Sequence, residues 1–233
     1  MDADMRADPS KAPPSWEIGM PRTIRLRGND TIVFIGDSIT AADRHRQAYG
    51  PLGFGYVHFA GNLLLARNPG LNLKIVNTGI SGDTVIDLKD RWQRDCIIHR
   101  PNVLSVLVGI NDVWRRAMEP DAAERAASPA EFEVTYGQLL VQAKERCQCQ
   151  LVLMEPFLFC RDREDEVFRT LVPYLEAVRA LAQKHEAVLV PLQQEIDRCI
   201  GEIPPEKWSQ DGVHPYLWAH AWIAQRWLEA TGL

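Results

Sequence analysis

The residues able to do chemistry lie in a few short, glycine-flanked stretches. Ser38 stands in Gly36-Asp37-Ser38-Ile39-Thr40, directly after the apolar run Ile32-Val33-Phe34-Ile35. A serine hydroxyl acts as a nucleophile when a base takes its proton, an acid orients that base and donors receive the oxyanion formed on attack. The tail supplies base and acid in Asp211-Gly212-Val213-His214-Pro215. A carboxylate three residues before an imidazole, in a turn opening a helix, can reach Nδ1 and leave Nε2 to face the serine. Asn111 offers a side-chain amide, and the backbone N–H groups of Ser38 and Gly82 lie in turns able to approach a substrate closely. A Cβ at position 82 is expected to block that approach. The chemistry of such a set is acyl transfer through a serine ester. Taken alone, Ser38 reads as a turn serine capping the next helix; only the partners far along the chain argue otherwise.

The elements that must position these residues follow from periodicity. Thr31 to Ile35 reads as a buried strand ended by Gly36, so Ser38 sits at the carboxyl end of a strand, the edge at which open α/β sheets bind ligands. Tyr56, Phe59, Ala60, Leu63 and Leu64 mark one helix face ending near Asn68-Pro69-Gly70. Leu71 to Val76, Val103 to Val108, Leu151 to Met154 and Ala187 to Val190 read as further strands, Val103 to Val108 being continuous and β-branched like one buried on both faces. Val85, Leu88, Trp92 and Cys96 line a helix. A looser region is expected over Val113 to Ala127, before Ser128-Pro129-Ala130-Glu131 starts a helix with a capping box and proline at its first position. Helices are also predicted through Phe168 to Ala182, over Gln193 to Ile200 and from about Pro215 to Ala230. Strand and helix alternate without hairpin signals, which predicts an α/β fold: a five-stranded parallel sheet in a three-layer α/β/α domain.

Four blocks, Gly36-Asp37-Ser38-Ile39-Thr40, Gly79-Ile80-Ser81-Gly82-Asp83-Thr84, Gly109-Ile110-Asn111-Asp112 and Asp211-Gly212-Val213-His214-Pro215, resemble those of the SGNH (GDSL-type) hydrolases, in the same chain order. The resemblance implies a flavodoxin-like sheet, Ser38 as nucleophile, His214 as base, Asp211 as its orienter, and Gly82 and Asn111 as oxyanion-hole donors beside the Ser38 amide. The first block has Ile39-Thr40 where the eponymous leucine falls, a change that leaves the serine geometry untouched. The longer runs Asp87-Leu88-Lys89-Asp90-Arg91-Trp92 and Gly109 to Trp114, with Trp208 before Asp211, are similar to acetylxylan esterases within that family. A small acyl ester, O-acetylated xylo-oligosaccharide in particular, is the substrate this implies. A broader lysophospholipase, thioesterase or arylesterase is the alternative, and a non-catalytic binding module is a second class that the filled catalytic positions oppose.

With 233 residues, 46% hydrophobic and 24% charged, the chain reads as one soluble domain, residues 29–233, preceded by an arm over residues 1–28. A net charge of −5 without a basic block argues against nucleic acid and anionic membranes as partners, and no stretch suits a signal peptide or a membrane span. Five irregularly spaced cysteines suit a reduced, cytoplasmic setting rather than a disulfide framework. Neither Cys147-Gln148-Cys149 nor His58, His99, His185 and His220 show metal-ligand spacing, so no metal and no cofactor is expected. Asp37 and Asp112 are read as fixing their own turns by Asx-type bonds. Trp92 falls at core spacing. Trp114 and Trp208, read as loop residues near Asn111 and Asp211, and His45, in the loop after the nucleophile, are candidate substrate contacts, although a solvated histidine is the plainer reading of His45. The last helix shows two apolar stripes, Leu217, Ala221, Ala224 and Leu228 beside Trp218, Trp222 and Ile223, which points to deep burial or a homo-oligomer interface.

Overall fold

The computed structural model describes residues 23–119 and 124–233. Of the arm expected over residues 1–28, residues 1–22 lie outside the described residues; residues 23–28 run along the domain, with Ile24 buried and its N–H bonded to the Thr231 carbonyl at 2.8 Å.

Five strands, β1 (Thr31–Gly36), β2 (Lys74–Asn77), β3 (Val103–Leu107), β4 (Gln150–Met154) and β5 (Val188–Val190), form one parallel sheet in the order β2-β1-β3-β4-β5. Helices α1 (Ser38–Ala41) and α2 (Tyr56–Arg67) follow β1, and α3 (Val85–Asp95) follows β2. After β3 come α4 (Ile110–Met118) and α5 (Pro129–Cys147), and after β4 comes α6 (Glu166–Lys184). The chain closes with α7 (Leu192–Cys199), α8 (Pro205–Trp208) and α9 (Leu217–Thr231). This order is flavodoxin-like: β2 is added on one side of β1 and β3 on the other, which makes the carboxyl edge between β1 and β3 the kind of switch point at which open α/β sheets bind ligands.

β3 is buried throughout and β1 nearly so, which is why both read as continuous apolar runs. Side chains alternate across the sheet, and Phe34 packs between Tyr56 of α2 and Trp227 of α9, at ring separations of 5.9 and 5.2 Å. Trp227 also donates from Nε1 to Ser105 Oγ, 2.9 Å away on the central strand, so the indole nitrogen is satisfied inside the core. Helices α2 and α9 thus make one layer, while α3, α5 and α6 pack on one another in the second.

Several expectations change. Residues 110–118 form α4 rather than a loose segment; its N-cap, Gly109, has φ +127° and no capping side chain, so the start carries no polar signature. On α2 the buried face is Tyr56, Val57, Ala60, Gly61 and Leu64, with Leu63 exposed, because Gly61 lets the helix sit close to Ile75. On α9, Ala219, His220, Ile223, Ala224, Trp227 and Leu228 are buried, while Leu217 and Trp218 of the expected stripes are exposed. The capping box at Ser128 and Glu131 forms as expected, with Pro129 in the first turn of α5.

Candidate active site

The nucleophile turn is built by close approach at the end of β1. A Cβ on Gly36 would stand 2.1 Å from the Leu107 carbonyl oxygen, and one on Gly79 would stand 2.3 Å from the Ala41 amide nitrogen. Only glycine lets these segments touch. Asp37 caps α1 by accepting from the Ile39 N–H at 3.0 Å, the turn-fixing role expected of it. Its carboxyl is fully buried, Oδ2 has no partner among the described residues, and burial raises its pKa to about 7, against the Ile39 N–H and the nearby His214. Behind the turn, Thr40 Oγ1 and Tyr56 Oη are 3.0 Å apart, and Asn77 Nδ2 donates to the Thr40 carbonyl at 2.7 Å.

Ser38, half-buried at the mouth of this turn, has its Oγ 2.9 Å from His214 Nε2, and His214 Nδ1 lies 2.7 Å from Asp211 Oδ2. The sequence separates serine and histidine by 176 positions; the sheet brings them into contact. Asp211 divides its oxygens. Oδ1 receives the Ser209 hydroxyl and the N–H groups of Val213 and His214 at 2.8–2.9 Å, leaving Oδ2 for the imidazole. Partial burial works against ionisation, but these donors outweigh it and hold the carboxyl well below the ordinary carboxylate range. Acid and base therefore sit in one small loop, closed by an antiparallel bridge between Ser209 and Pro215 and turned at Gly212, where φ is +82°.

This loop rests on the chain after β4. The Phe159 N–H donates to the Gly212 carbonyl at 2.8 Å, and the Phe159 ring stacks on Trp208 at 5.3 Å. Glu155, wholly buried, accepts from Arg179 Nε at 2.6 Å and from the Gln193 N–H at 3.1 Å, tying that segment to α6 and α7. From α9, His220 Nδ1 receives the Tyr56 N–H at 3.3 Å.

The expected oxyanion donors lie in the loop between β2 and α3 and at the start of α4. Gly82 has φ +85°, and among the described residues beyond its chain neighbours a Cβ there would meet only Arg115 Nη2, at 3.9 Å. Backbone conformation, rather than crowding within the protein, is what calls for glycine at this position. Asn111, in the first turn of α4, donates one Nδ2 hydrogen to the Asp83 carbonyl at 3.0 Å, leaving the second for a ligand. Asp112 reaches beyond its own turn. Its oxygens accept from Val85 N–H and Ala127 N–H, both at 3.1 Å, and so join the starts of α3 and α5; burial raises its pKa to about 7.

Two candidate contacts change character. Trp208 lies on α8 with no exposed surface, and Trp114 lies on α4, half-buried against the core; neither is a loop residue. His45 is exposed in the turn beyond α1. Two residues not anticipated are Arg91 and Trp218. Arg91, 5% exposed, donates to Asp83 Oδ2 at 2.5 Å, the Thr78 carbonyl at 2.6 Å and the Gly36 carbonyl at 2.9 Å, so one guanidinium joins the first two sequence blocks. Trp218 is 44% exposed near the catalytic loop and packs on Trp208 at 4.6 Å.

A parallel sheet with a Ser–His–Asp chain of hydrogen bonds at its carboxyl edge is the architecture of a carboxylic ester hydrolase, and comparison with known proteins agrees. The chain belongs to the GDSL-like lipase/acylhydrolase family, whose model matches residues 34–222. It is 34% identical over 213 residues to an acetylxylan esterase of Geobacillus stearothermophilus, covering 90% of this chain and 97% of the relative. The crystal structure of a catalytic mutant of that enzyme superposes with a TM-score of 0.85 at 33% identity, over 90% of this chain and 97% of the other. An α/β hydrolase from the metagenome of Lake Arreo superposes with a TM-score of 0.82 at 34% identity, over 89% of this chain and 97% of the other. The protein is accordingly a carboxylic ester hydrolase of the SGNH fold.

Proposed function

We propose that Ser38 is the nucleophile of this esterase, His214 its general base, Asp211 the orienter of the base, and the N–H groups of Ser38 and Gly82 with the Asn111 amide its oxyanion donors. The hydrogen-bonded run from Ser38 Oγ through His214 to Asp211, at 2.9 and 2.7 Å, carries this reading. Ser38 Oγ attacks the ester carbonyl as His214 Nε2 takes its proton. The tetrahedral oxyanion is held by the three N–H donors, and the C–O bond to the alcohol breaks as His214 returns the proton to the leaving oxygen. Water then attacks the acetyl-serine by the same route, releasing acetate and the free hydroxyl.

The substrate we assign is an acetyl group on a xylo-oligosaccharide. The similarity to an acetylxylan esterase over nearly the whole of both chains supports it. A reduced, cytoplasmic setting and self-association complete the reading. The first is supported by five free thiols, and the second by the exposed Tyr216, Leu217 and Trp218 at the start of α9.

Hydrolysis of acetylated xylo-oligosaccharides and of p-nitrophenyl esters of increasing acyl length tests the assignment. Acetyl release from the oligosaccharide and a preference for p-nitrophenyl acetate are expected, with activity abolished in Ser38→Ala and kcat lowered about 10²–10³-fold in Asn111→Ala. Preference for long acyl chains would replace the carbohydrate assignment by a lipase or thioesterase one. An active Ser38→Ala enzyme would end the serine mechanism.

A further inference from the structure

Side chains from three other elements take up the carbonyl oxygens of the loop between β2 and α3. The Thr78 carbonyl accepts from Arg91 Nη1 at 2.6 Å and the Gly79 carbonyl from Arg44 Nε at 2.7 Å. The Gly82 carbonyl accepts from Arg115 Nη2 at 2.7 Å and the Asp83 carbonyl from Asn111 Nδ2 at 3.0 Å. Arg44 follows α1, Arg91 is on α3, and Asn111 and Arg115 stand one turn apart on α4.

Gly82 is the point of this loop least restrained by its own sterics, having φ +85° and no Cβ. Its orientation must be imposed from outside. Among the described residues, its own chain neighbours aside, Arg115 Nη2 alone comes within 4 Å of the place a Cβ would occupy, and it binds the carbonyl of the same residue. Arg115 is itself held. Its side chain is 22% exposed, Nη1 lies 3.7 Å from Asp87 Oδ2, and Nη1 also donates to the Arg125 carbonyl at 3.5 Å. Asp87 is in turn fixed by the capping box of α3.

We propose that Arg115 is a positioning residue of the oxyanion hole, holding the Gly82 carbonyl so that the Gly82 N–H and the Asn111 amide, carried on its own helix, converge on one oxygen. The inference rests on Gly82 and Asn111 being the oxyanion donors. Arg115 touches neither substrate nor oxyanion. Its effect falls on the tetrahedral adduct and leaves binding of the planar ester unchanged, because the donors matter most where negative charge develops.

Four variants and one inhibitor test this. Arg115→Met keeps the volume without the guanidinium, and Arg115→Gln keeps polarity but is too short to reach the Gly82 carbonyl. Arg115→Lys retains a cation long enough to reach it, and Asn111→Ala removes a donor outright. In p-nitrophenyl acetate hydrolysis, Met and Gln variants of unchanged melting temperature are expected to lose about 10–100-fold in kcat, less than a whole donor is worth, with KM within about threefold. Binding of a small alkylboronic acid, which forms a tetrahedral adduct on an active serine, is expected to weaken by the factor lost in kcat/KM. The Lys variant is expected to recover part of the loss. Should the Met variant not fold, the Gln variant carries the same expectation. A folded Met or Gln variant with kcat within about twofold of wild type, a loss confined to KM, or unchanged boronate binding would overturn the proposal, provided Asn111→Ala is impaired. A fully active Asn111→Ala would instead remove the oxyanion assignment on which it rests.

Discussion

At the scale of single residues, the division of labour within Asp211 makes a sharp prediction. An asparagine there keeps an oxygen for the three donors that organise the loop but presents an N–H to His214 Nδ1, forcing the tautomer that leaves no acceptor at Nε2 for the Ser38 proton. Asp211→Asn is expected to fold as the wild type and lose about 10⁴-fold in kcat, as the equivalent change does in serine proteases. Turnover within tenfold of wild type would make the acid dispensable. The sequence could reveal Ser38, Asn111, Asp211 and His214 because few side chains perform these roles and each lies in a short, glycine-marked block. It could not reveal Arg91 and Arg115. An arginine on an amphipathic helix reads as a solvated cation, and the partners of these two are largely backbone carbonyls, which carry no signature in the sequence. Trp208 misled for the opposite reason: its neighbours suggest an open loop, whereas the ring stacked on it, Phe159, comes from a segment 49 positions earlier.

At the scale of elements, legibility follows the polar punctuation. Helix α5 announces itself through Ser128, Pro129 and Glu131, while α4 begins at an uncapped glycine and passes for a loop. Strands β1 and β3 are visible because burial on both faces demands unbroken apolar runs. The docking of α9 has a pH dependence that periodicity could not convey. His220 is buried against Phe54 and accepts the Tyr56 N–H, and burial, with a smaller contribution from His214, lowers its pKa to about 4. A base whose folded-state pKa lies below its unfolded value of 6.5 contributes stability that is complete above pH 6.5 and is lost as pH falls towards 4. At pH 5 the loss is about 2 kcal/mol, or about 4–8 °C in melting temperature for a chain of this size. His220→Gln, which keeps an acceptor for the Tyr56 N–H, is expected to lose less between pH 7.5 and 5 than the wild type; an equal loss would clear His220. Asp37 and Asp112 act in the reverse sense, since their raised pKa values make their contribution complete below 3.8 and lost as pH rises through about 7.

At the scale of the whole molecule, Tyr216, Leu217 and Trp218 are 43%, 57% and 44% exposed in succession, directly after the catalytic loop. Light scattering is expected to give a multiple of the 26.4 kDa chain mass, and Leu217→Glu with Trp218→Glu a smaller particle. A monomeric wild type would refute self-association. The loop that precedes this patch has a different bearing on how the enzyme can be altered. Bridged at Ser209 and Pro215 and bonded internally through Asp211 Oδ1, it carries acid and base as one body, joined to the nucleophile across the 2.9 Å between His214 Nε2 and Ser38 Oγ. A shift transmitted through its supports at Phe159 and Trp208 would carry the Asp211–His214 pair as a unit, so its cost falls on the 2.9 Å separation between His214 and Ser38 and not on the pair itself.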